Sequence, residues 1–217
     1  MINFKKWLLE EENQAAIEFS LNKTNPAWLY EIFKQSYLKS TGTAFSESHF
    51  YDRASKWTFF GIPPNSENDP TSGFVAVRFQ PSGLIKLTGV AGNTRGILRG
   101  VDLLNSKNQP VWGAVSSDIA NMASKKGFKI VPPFVLKMLT QSGMKIPGME
   151  IDDAGNIKTD IAEIGKVDKK AIVNDQYISW LKNQYPHLPI SDKMFSSDIM
   201  NVMQKFNIPS KTTISTT

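Results

Sequence analysis

A predicted strand that runs into a glycine-containing turn and then into a helix constrains this chain more than any other stretch of its sequence. The strand covers residues 84–90, and the helix extends from about Arg95 to Ser106. A helix that begins directly after a strand points unpaired N–H groups and the positive end of its dipole at the turn. Glycines allow ligand oxygens to approach such N–H groups closely, so residues 90–100 predict a phosphate-binding turn.

The side chains around this turn have the charge that a phosphate site requires. No Asp or Glu occurs from Pro70 through Val101, whereas four cations do, and Arg95 and Arg99 share one helix face because they are four residues apart. The alternative, that the four cations lie on solvated strand faces and keep an edge soluble, stays open. The candidate binding residues are Val90, Arg95, Gly96, Ile97, Arg99 and Gly100.

Composition places the chain among soluble globular proteins of one core. It has 217 residues, of which 41% are hydrophobic and 21% charged. The formal net charge of +5 favours an anionic partner, either an anionic cofactor or nucleic acid. Because the sequence has neither a signal-peptide pattern nor a run approaching the roughly 20 apolar residues of a membrane span, we expect a cytoplasmic protein without membrane contact.

The residues that bind metals are scarce. The chain has no cysteine, which excludes disulfides, thiolate chemistry, iron–sulfur clusters and cysteine-ligated zinc. Its two histidines, His49 and His187, are far apart in sequence, and neither has a second histidine or a carboxylate at ligand spacing. We therefore expect no metal site.

The order of the predicted elements indicates an α/β or α+β fold with one mixed sheet flanked by helices. Residues 1–131 form the predicted core, and residues 132–217 form an extension with a helix, a hairpin, two further helices and a frayed tail. Periodicity and capping residues predict helices over residues 4–19, 26–42, 46–57, 95–106, 117–127, 133–141, 175–183 and 196–207. Apolar β-branched runs predict strands over 57–60, 73–79, 84–90, 111–115 and 128–131, and a hairpin over 149–164.

This order of elements, with its strand-to-helix turn, resembles the GNAT superfamily of acyl-CoA-dependent N-acetyltransferases over roughly residues 27–131. In the family pattern Arg or Gln is followed by two residues, Gly, one residue, and Gly or Ala. Arg95 and Gly100 stand at the first and last of these positions, and Leu98 replaces the middle glycine. Residues 112–129 are similar to the family's fifth strand, fourth helix and the Gly-Phe pair that begins its sixth strand.

The resemblance implies acetyl-CoA as co-substrate, with its pyrophosphate on the turn, and an amine as acceptor. It places the family's usual asparagine near Ser116 and its usual tyrosine, which protonates the CoA thiolate, at Ala123. The candidate catalytic residues are Ser116, whose hydroxyl can bond a water or the thiolate, and His49, in the region that often frames the acceptor. A helix cap is the alternative for Ser116, and an ordinary surface histidine is the alternative for His49.

Three functions are compatible with these observations. The first is an active N-acyltransferase, and the second is a protein that keeps the fold without the chemistry and serves as a binding or structural component. Phages carry divergent relatives of this fold, so a phage component is one form of the second function. The third is a DNA-modifying enzyme, which the net positive charge favours slightly.

Overall fold

The computed structural model describes residues 15–141, 150–151, 157–158, 169–188 and 190–196. The chain divides into two compact units, the first ending at Gln109 and the second beginning at Pro110. Each unit combines an antiparallel sheet with helices, which confirms the predicted α/β class.

The described residues of the first unit form four antiparallel strands and three α-helices, and the predicted turn joins the last strand to the last helix. The strands are adjacent in the order β1-β2-β3-β4, and the register pairs Phe19 with Phe59, Phe59 with Ala76, and Val75 with Val90. The elements are β1 (Ile17–Ser20), α1 (Pro26–Thr41), α2 (Glu47–Ala54), β2 (Thr58–Ile62), β3 (Gly73–Phe79), β4 (Ile85–Gly92) and α3 (Thr94–Asn105).

Local sequence explains where α1 begins and ends. The Asn25 side chain accepts a hydrogen bond from the N–H of Ala27 at 3.0 Å, and Pro26 occupies the first helical position, where a missing N–H costs nothing. The helix ends at Gly42, whose φ of +74° allows its N–H to bond the carbonyl of Leu38.

The two faces of the four-stranded sheet are covered by different helices, because successive residues of a strand point to opposite sides. Phe59, Phe74 and Ala76 point to the side of α1 and α2 and join the aromatic side chains of those helices in one buried cluster. Phe60 and Val75 point to the other side, where α3 lies. The buried side chains that α3 contributes there are Ile97, Val101 and Leu104.

A β-bulge interrupts the pairing of β3 with β4. Ala76 pairs with Gly89 and Val77 pairs with Leu87, so Thr88 is the extra residue on β4. The Thr88 hydroxyl donates to the carbonyl of Ala76 at 2.9 Å and thereby ties the bulge to β3.

The described residues of the second unit form a three-stranded antiparallel sheet, a two-stranded hairpin and three α-helices. Its elements are β5 (Val111–Ser116), α4 (Ser117–Ser124), β6 (Lys129–Val131), α5 (Pro133–Gln141), β7 (Glu150–Ile151), β8 (Ile157–Lys158), β9 (Lys169–Val173) and α6 (Asp175–Gln184). Strand β9 pairs antiparallel with both β5 and β6, and β7 pairs with β8 in the predicted hairpin.

The side chain of Asn174 joins three elements of this unit. Its amide oxygen accepts the N–H of Val111 at 2.9 Å and the N–H of Tyr177 at 3.0 Å, and the backbone N–H of Asn174 donates to the carbonyl of Val111. Asn174 is therefore both the cap of α6 and the connection between the end of β9 and the start of β5.

The structure differs from the sequence-based expectations at two places. Residues 17–19, predicted as the end of the helix over 4–19, belong to the edge strand β1, because residues 17–20 pair with the apolar strand β2. Strand β9 was not predicted. Most of the predicted first helix and nearly all of the predicted helix over 196–207 lie outside the described residues. Within the described parts of the chain, no helix is long and apolar enough to cross a membrane.

Candidate functional site

The junction of β4 with α3 forms as the sequence predicts. Gly92 ends the strand with a φ of +89°, a backbone conformation that favours glycine, and Asn93 follows as the helix cap. The Asn93 side chain accepts the N–H of Arg95 at 2.8 Å, and its carbonyl accepts the N–H of Ile97 at 3.0 Å. Thr94 and Gly96 also belong to this first turn, where the N–H groups of an α-helix have no partner within the helix.

The start of α3 lies at the surface of the first unit. Gly92, Asn93, Thr94 and Arg95 are all exposed, and Leu98 and Arg99 are half-buried. At 100° per residue, Arg95, Leu98 and Arg99 lie on one side of the helix, away from the side that packs on the sheet. The arrangement places two arginines in the first turns of the helix, on the side away from the sheet, where both the cations and the helix dipole favour an anion.

The glycines of α3 are buried against the neighbouring strands. A Cβ at Gly96 would lie 2.7 Å or less from three backbone atoms of Gly73, and a Cβ at Gly100 would lie 2.1 Å from the carbonyl oxygen of Phe60. Both residues therefore let the helix backbone approach the sheet. The structure gives them this packing role, which the sequence pattern does not reveal, and contact with a ligand stays a prediction for them.

The remaining candidates at the junction are also placed by packing. The side chain of Ile97 is only 6% exposed and faces the sheet, whereas Val90 is half-buried on β4. Leu98, which stands in the place of a family glycine, lies on the same side as the arginines rather than between helix and sheet.

Two residues from other segments hold the junction in place. The Ser36 hydroxyl of α1 accepts the N–H of Gly92 at 2.9 Å, and the carbonyl of Ser72 accepts the N–H of Asn93 at 2.7 Å. Ser72 itself follows a loop that Asp69 organises. Sequence reasoning missed all three residues, although Asp followed two positions later by Thr in a polar loop is a known signal for a side-chain-stabilised turn.

Hydrogen bonds determine the ionisation of Asp69. Burial raises the pKa of its carboxyl group, but hydrogen bonds from the Thr71 side chain and from the N–H groups of Thr71, Asn65 and Ser72 outweigh this effect. The net result is a pKa below its ordinary value, so the group is a carboxylate at neutral pH.

His49 lies apart from the junction residues. It belongs to α2, on the side of the sheet opposite α3, and its ring packs edge-on against Phe45 with a centroid distance of 5.4 Å. The side chain is exposed, and the backbone N–H of His49 donates at 3.4 Å to the Ser46 hydroxyl that caps the helix. The structure therefore does not group His49 with the predicted phosphate-binding residues.

Ser116 is found in the second unit, at the cap position of α4. Its side chain makes no capping hydrogen bond, and the residue is half-buried. Its hydroxyl therefore does not make the capping hydrogen bond that was the alternative role for this residue. Ala123, on the same helix, is 3% exposed and packs in the core of this unit.

Among the described residues, no three His, Cys, Asp or Glu side chains are grouped so that they could hold a metal ion. No protein-family model matches the chain, and no curated protein matches it.

Comparison with solved structures finds acetyltransferases. An acetyltransferase from Bacillus subtilis, solved in complex with CoA, is 10% identical with a TM-score of 0.42, and the match covers 74% of this chain and 97% of that one. A GNAT-family acetyltransferase from Staphylococcus aureus Mu50 is 9% identical with a TM-score of 0.45, covering 74% and 98%. The IAA acetyltransferase from Bacillus cereus is 9% identical with a TM-score of 0.41, covering 74% and 97%.

Proposed function

We propose that this chain is an acyl-CoA-dependent N-acyltransferase that moves an acetyl group from acetyl-CoA to an amine. The observation that carries the proposal is the exposed N-terminus of α3, which directly follows β4 and has Arg95 and Arg99 on its exposed side. Backbone N–H groups and guanidinium groups together are what a pyrophosphate requires.

The charge around this terminus supports an anionic ligand. The nearest carboxylates in sequence are Asp69 and Asp102, and the residues between them contain four cations. The oxygens of Asp69 accept hydrogen bonds inside its own loop. Because CoA carries several negative charges, a segment of this sign favours CoA over a cationic or neutral cofactor.

The reaction would need few protein groups. The amine nitrogen attacks the thioester carbonyl carbon, the carbon–sulfur bond breaks, the amine loses a proton to a base or water, and CoA leaves as a thiolate. No carboxylate occurs on residues 84–90 to act as that base. The Ser116 hydroxyl, which makes no capping bond, is the group that we propose to hydrogen-bond the thiolate or a water.

A binding protein without catalytic activity is the second candidate, and Ala123 favours it. The resemblance places the proton-donating tyrosine of the family at this position, and a buried alanine cannot donate a proton. Such a protein would keep the anion-binding turn of α3 and lack turnover.

One assay separates the two candidates. Acetyl-CoA is incubated with the full chain and a panel of primary amines, and the release of free CoA thiol is followed with a thiol-reactive dye. Release that depends on the amine supports the enzyme. Binding of acetyl-CoA by calorimetry with no amine-dependent release supports the second candidate, and absence of both binding and release contradicts the two proposals together.

A further inference from the structure

A carboxylate outside the candidate site organises the loop that precedes β3. Asp69 is 6% exposed, and its two carboxylate oxygens accept hydrogen bonds from its own loop. One oxygen accepts the Thr71 N–H at 2.9 Å and the Thr71 hydroxyl at 2.7 Å, and the other accepts the Asn65 N–H at 3.1 Å. A charged acceptor makes such bonds stronger than neutral ones, so the loop from residue 65 to residue 72 has one preferred shape.

The end of this loop, at Ser72 and Gly73, contacts the first residues of α3. Ser72 is 1% exposed, its N–H donates to the Asp69 carbonyl at 3.3 Å, and its hydroxyl donates to the Ile62 carbonyl at 2.9 Å. Its carbonyl in turn accepts the N–H of Asn93, the cap of α3. Gly73, the next residue, is so close to Asn93 and Gly96 that a side chain at position 73 would collide with the Asn93 carbonyl.

Helix α1 holds the same two segments from a second direction. The Gln35 side chain donates to the amide oxygen of Asn68 in the loop at 2.7 Å, and the adjacent Ser36 accepts the N–H of Gly92. The loop and the junction are therefore fixed to each other directly and also through neighbouring residues of α1. A change in the shape of the loop must be transmitted to the start of α3.

We propose that Asp69 is a positioning residue for the anion-binding start of α3, and that its carboxylate acts through Ser72 and Gly73. The inference rests on the proposed function for its ligand, the pyrophosphate of CoA. The carboxylate fixes the conformation of the loop, and the loop fixes the positions of Ser72 and Gly73. These two residues in turn determine the direction in which the N–H groups of Thr94 and Gly96 point. Displacement of binding groups by about 1 Å is enough to weaken a preorganised site.

The test with ligand compares Asp69→Asn and Asp69→Ala with Glu67→Gln. Glu67 is an exposed carboxylate in the same loop, so its substitution removes the same charge without removing the anchor. CoA and pantetheine, which lacks the pyrophosphate, are titrated against each protein by calorimetry. We expect CoA affinity to fall about tenfold in Asp69→Ala, less in Asp69→Asn, and not in Glu67→Gln. The affinity of pantetheine should be equal in all four proteins, whereas an equal loss for both ligands would contradict the positioning role.

A measurement without ligand keeps this inference separate from the proposed function. Amide hydrogen exchange is followed by mass spectrometry in peptides covering residues 90–98, with peptides of α6 as the internal reference for global stability. We expect exchange in residues 90–98 to be about tenfold faster in Asp69→Ala, relative to the reference, and unchanged in Glu67→Gln. Unchanged exchange in Asp69→Ala overturns the inference. Faster exchange in Asp69→Ala, together with a wild-type chain that does not bind CoA, overturns the proposed function and leaves the positioning of α3 by Asp69 supported.

Discussion

Gly100 of α3 lies so close to Phe60 of β2 that a Cβ on residue 100 would stand 2.1 Å from the Phe60 carbonyl oxygen. The clash would be with backbone, which cannot rotate away as a flexible side chain can. The distance between helix and sheet therefore depends on the absence of a side chain at this position, and so does the place where α3 starts.

Gly100→Ala should destabilise the protein, against the intrinsic preference of the helix. Alanine is about 1 kcal/mol better than glycine in a helix interior, whereas overpacking costs about 1–3 kcal/mol. We expect the clash to dominate and the free energy of unfolding, measured with urea, to fall by about 1–3 kcal/mol. Asp102→Ala, on the exposed side of the same helix, serves as the control and should change stability little. A stabilised Gly100→Ala variant would show that the helix can move away from β2 without loss.

The carboxylate of Asp69 should make stability depend on pH in the acid range. The pKa of this carboxyl group in the folded protein lies below the ordinary value of 3.8. Its contribution to the free energy of unfolding is therefore fully present above the pH at which the unfolded group titrates. The contribution is lost as the pH falls through the folded pKa. We expect the free energy of unfolding of wild type to be about 1–2 kcal/mol larger than that of Asp69→Asn at pH 7, and this difference to shrink below about pH 4. Urea unfolding of both proteins from pH 2.5 to pH 7 measures it, and a difference that does not vary with pH would contradict this account.

Ser116 and Ser46 should respond differently to replacement by alanine. Ser46 caps α2 through the N–H of His49, so Ser46→Ala should lower the free energy of unfolding by about 0.5–1 kcal/mol. Ser116 makes no capping bond, so Ser116→Ala should leave stability nearly unchanged and reduce amine-dependent thiol release if its hydroxyl contacts the thiolate. Thermal unfolding and the thiol assay are the two measurements. Full activity in Ser116→Ala would remove Ser116 from the proposed chemistry.

Asn174→Ala should be among the more damaging substitutions in the second unit. It removes the cap of α6 and leaves the buried N–H of Val111 without the Asn174 amide oxygen, so we expect a loss of about 2–3 kcal/mol. Asn121→Ala, at an exposed position of α4, is the matched control and should change stability by less than about 0.5 kcal/mol. Equal effects of the two substitutions would mean that the amide of Asn174 is not a structural connection.

Much of the first unit follows from the sequence because its signals are local. The hairpin of β3 and β4, the capped helix α1 and the strand-to-helix turn all depend on neighbours in sequence, and their boundaries agree with the prediction to within a few residues. Strand β9 was missed because Lys169–Val173 is short and begins with two lysines, and only its partners β5 and β6 make it a strand. Residues 17–20 show the same effect, since pairing with β2 overrides their helix-like spacing.

The candidate site is harder to predict from the sequence because its geometry depends on segments that are far apart along the chain. The glycines at positions 96 and 100 fit a phosphate-binding pattern, but their closest contacts are with backbone more than 20 residues earlier. Likewise, Ser36, Asp69 and Ser72 reach the turn only once the chain has folded. Sequence alone located the turn and its arginines, and the residues that hold it in place required the structure.

Binding of acetyl-CoA to wild type and to Arg95→Ala tests whether the N-terminus of α3 is the acyl-CoA site. Lys39→Ala, an exposed cation of α1, loses the same charge and serves as the control. Calorimetry and thermal unfolding are measured for all three proteins, because a ligand that binds the folded state raises its stability. We expect acetyl-CoA to bind and stabilise wild type and Lys39→Ala, and Arg95→Ala to bind it about tenfold more weakly with a smaller thermal shift. Equal binding by Arg95→Ala, or no binding by wild type, would contradict the assignment of the α3 N-terminus as the acyl-CoA site.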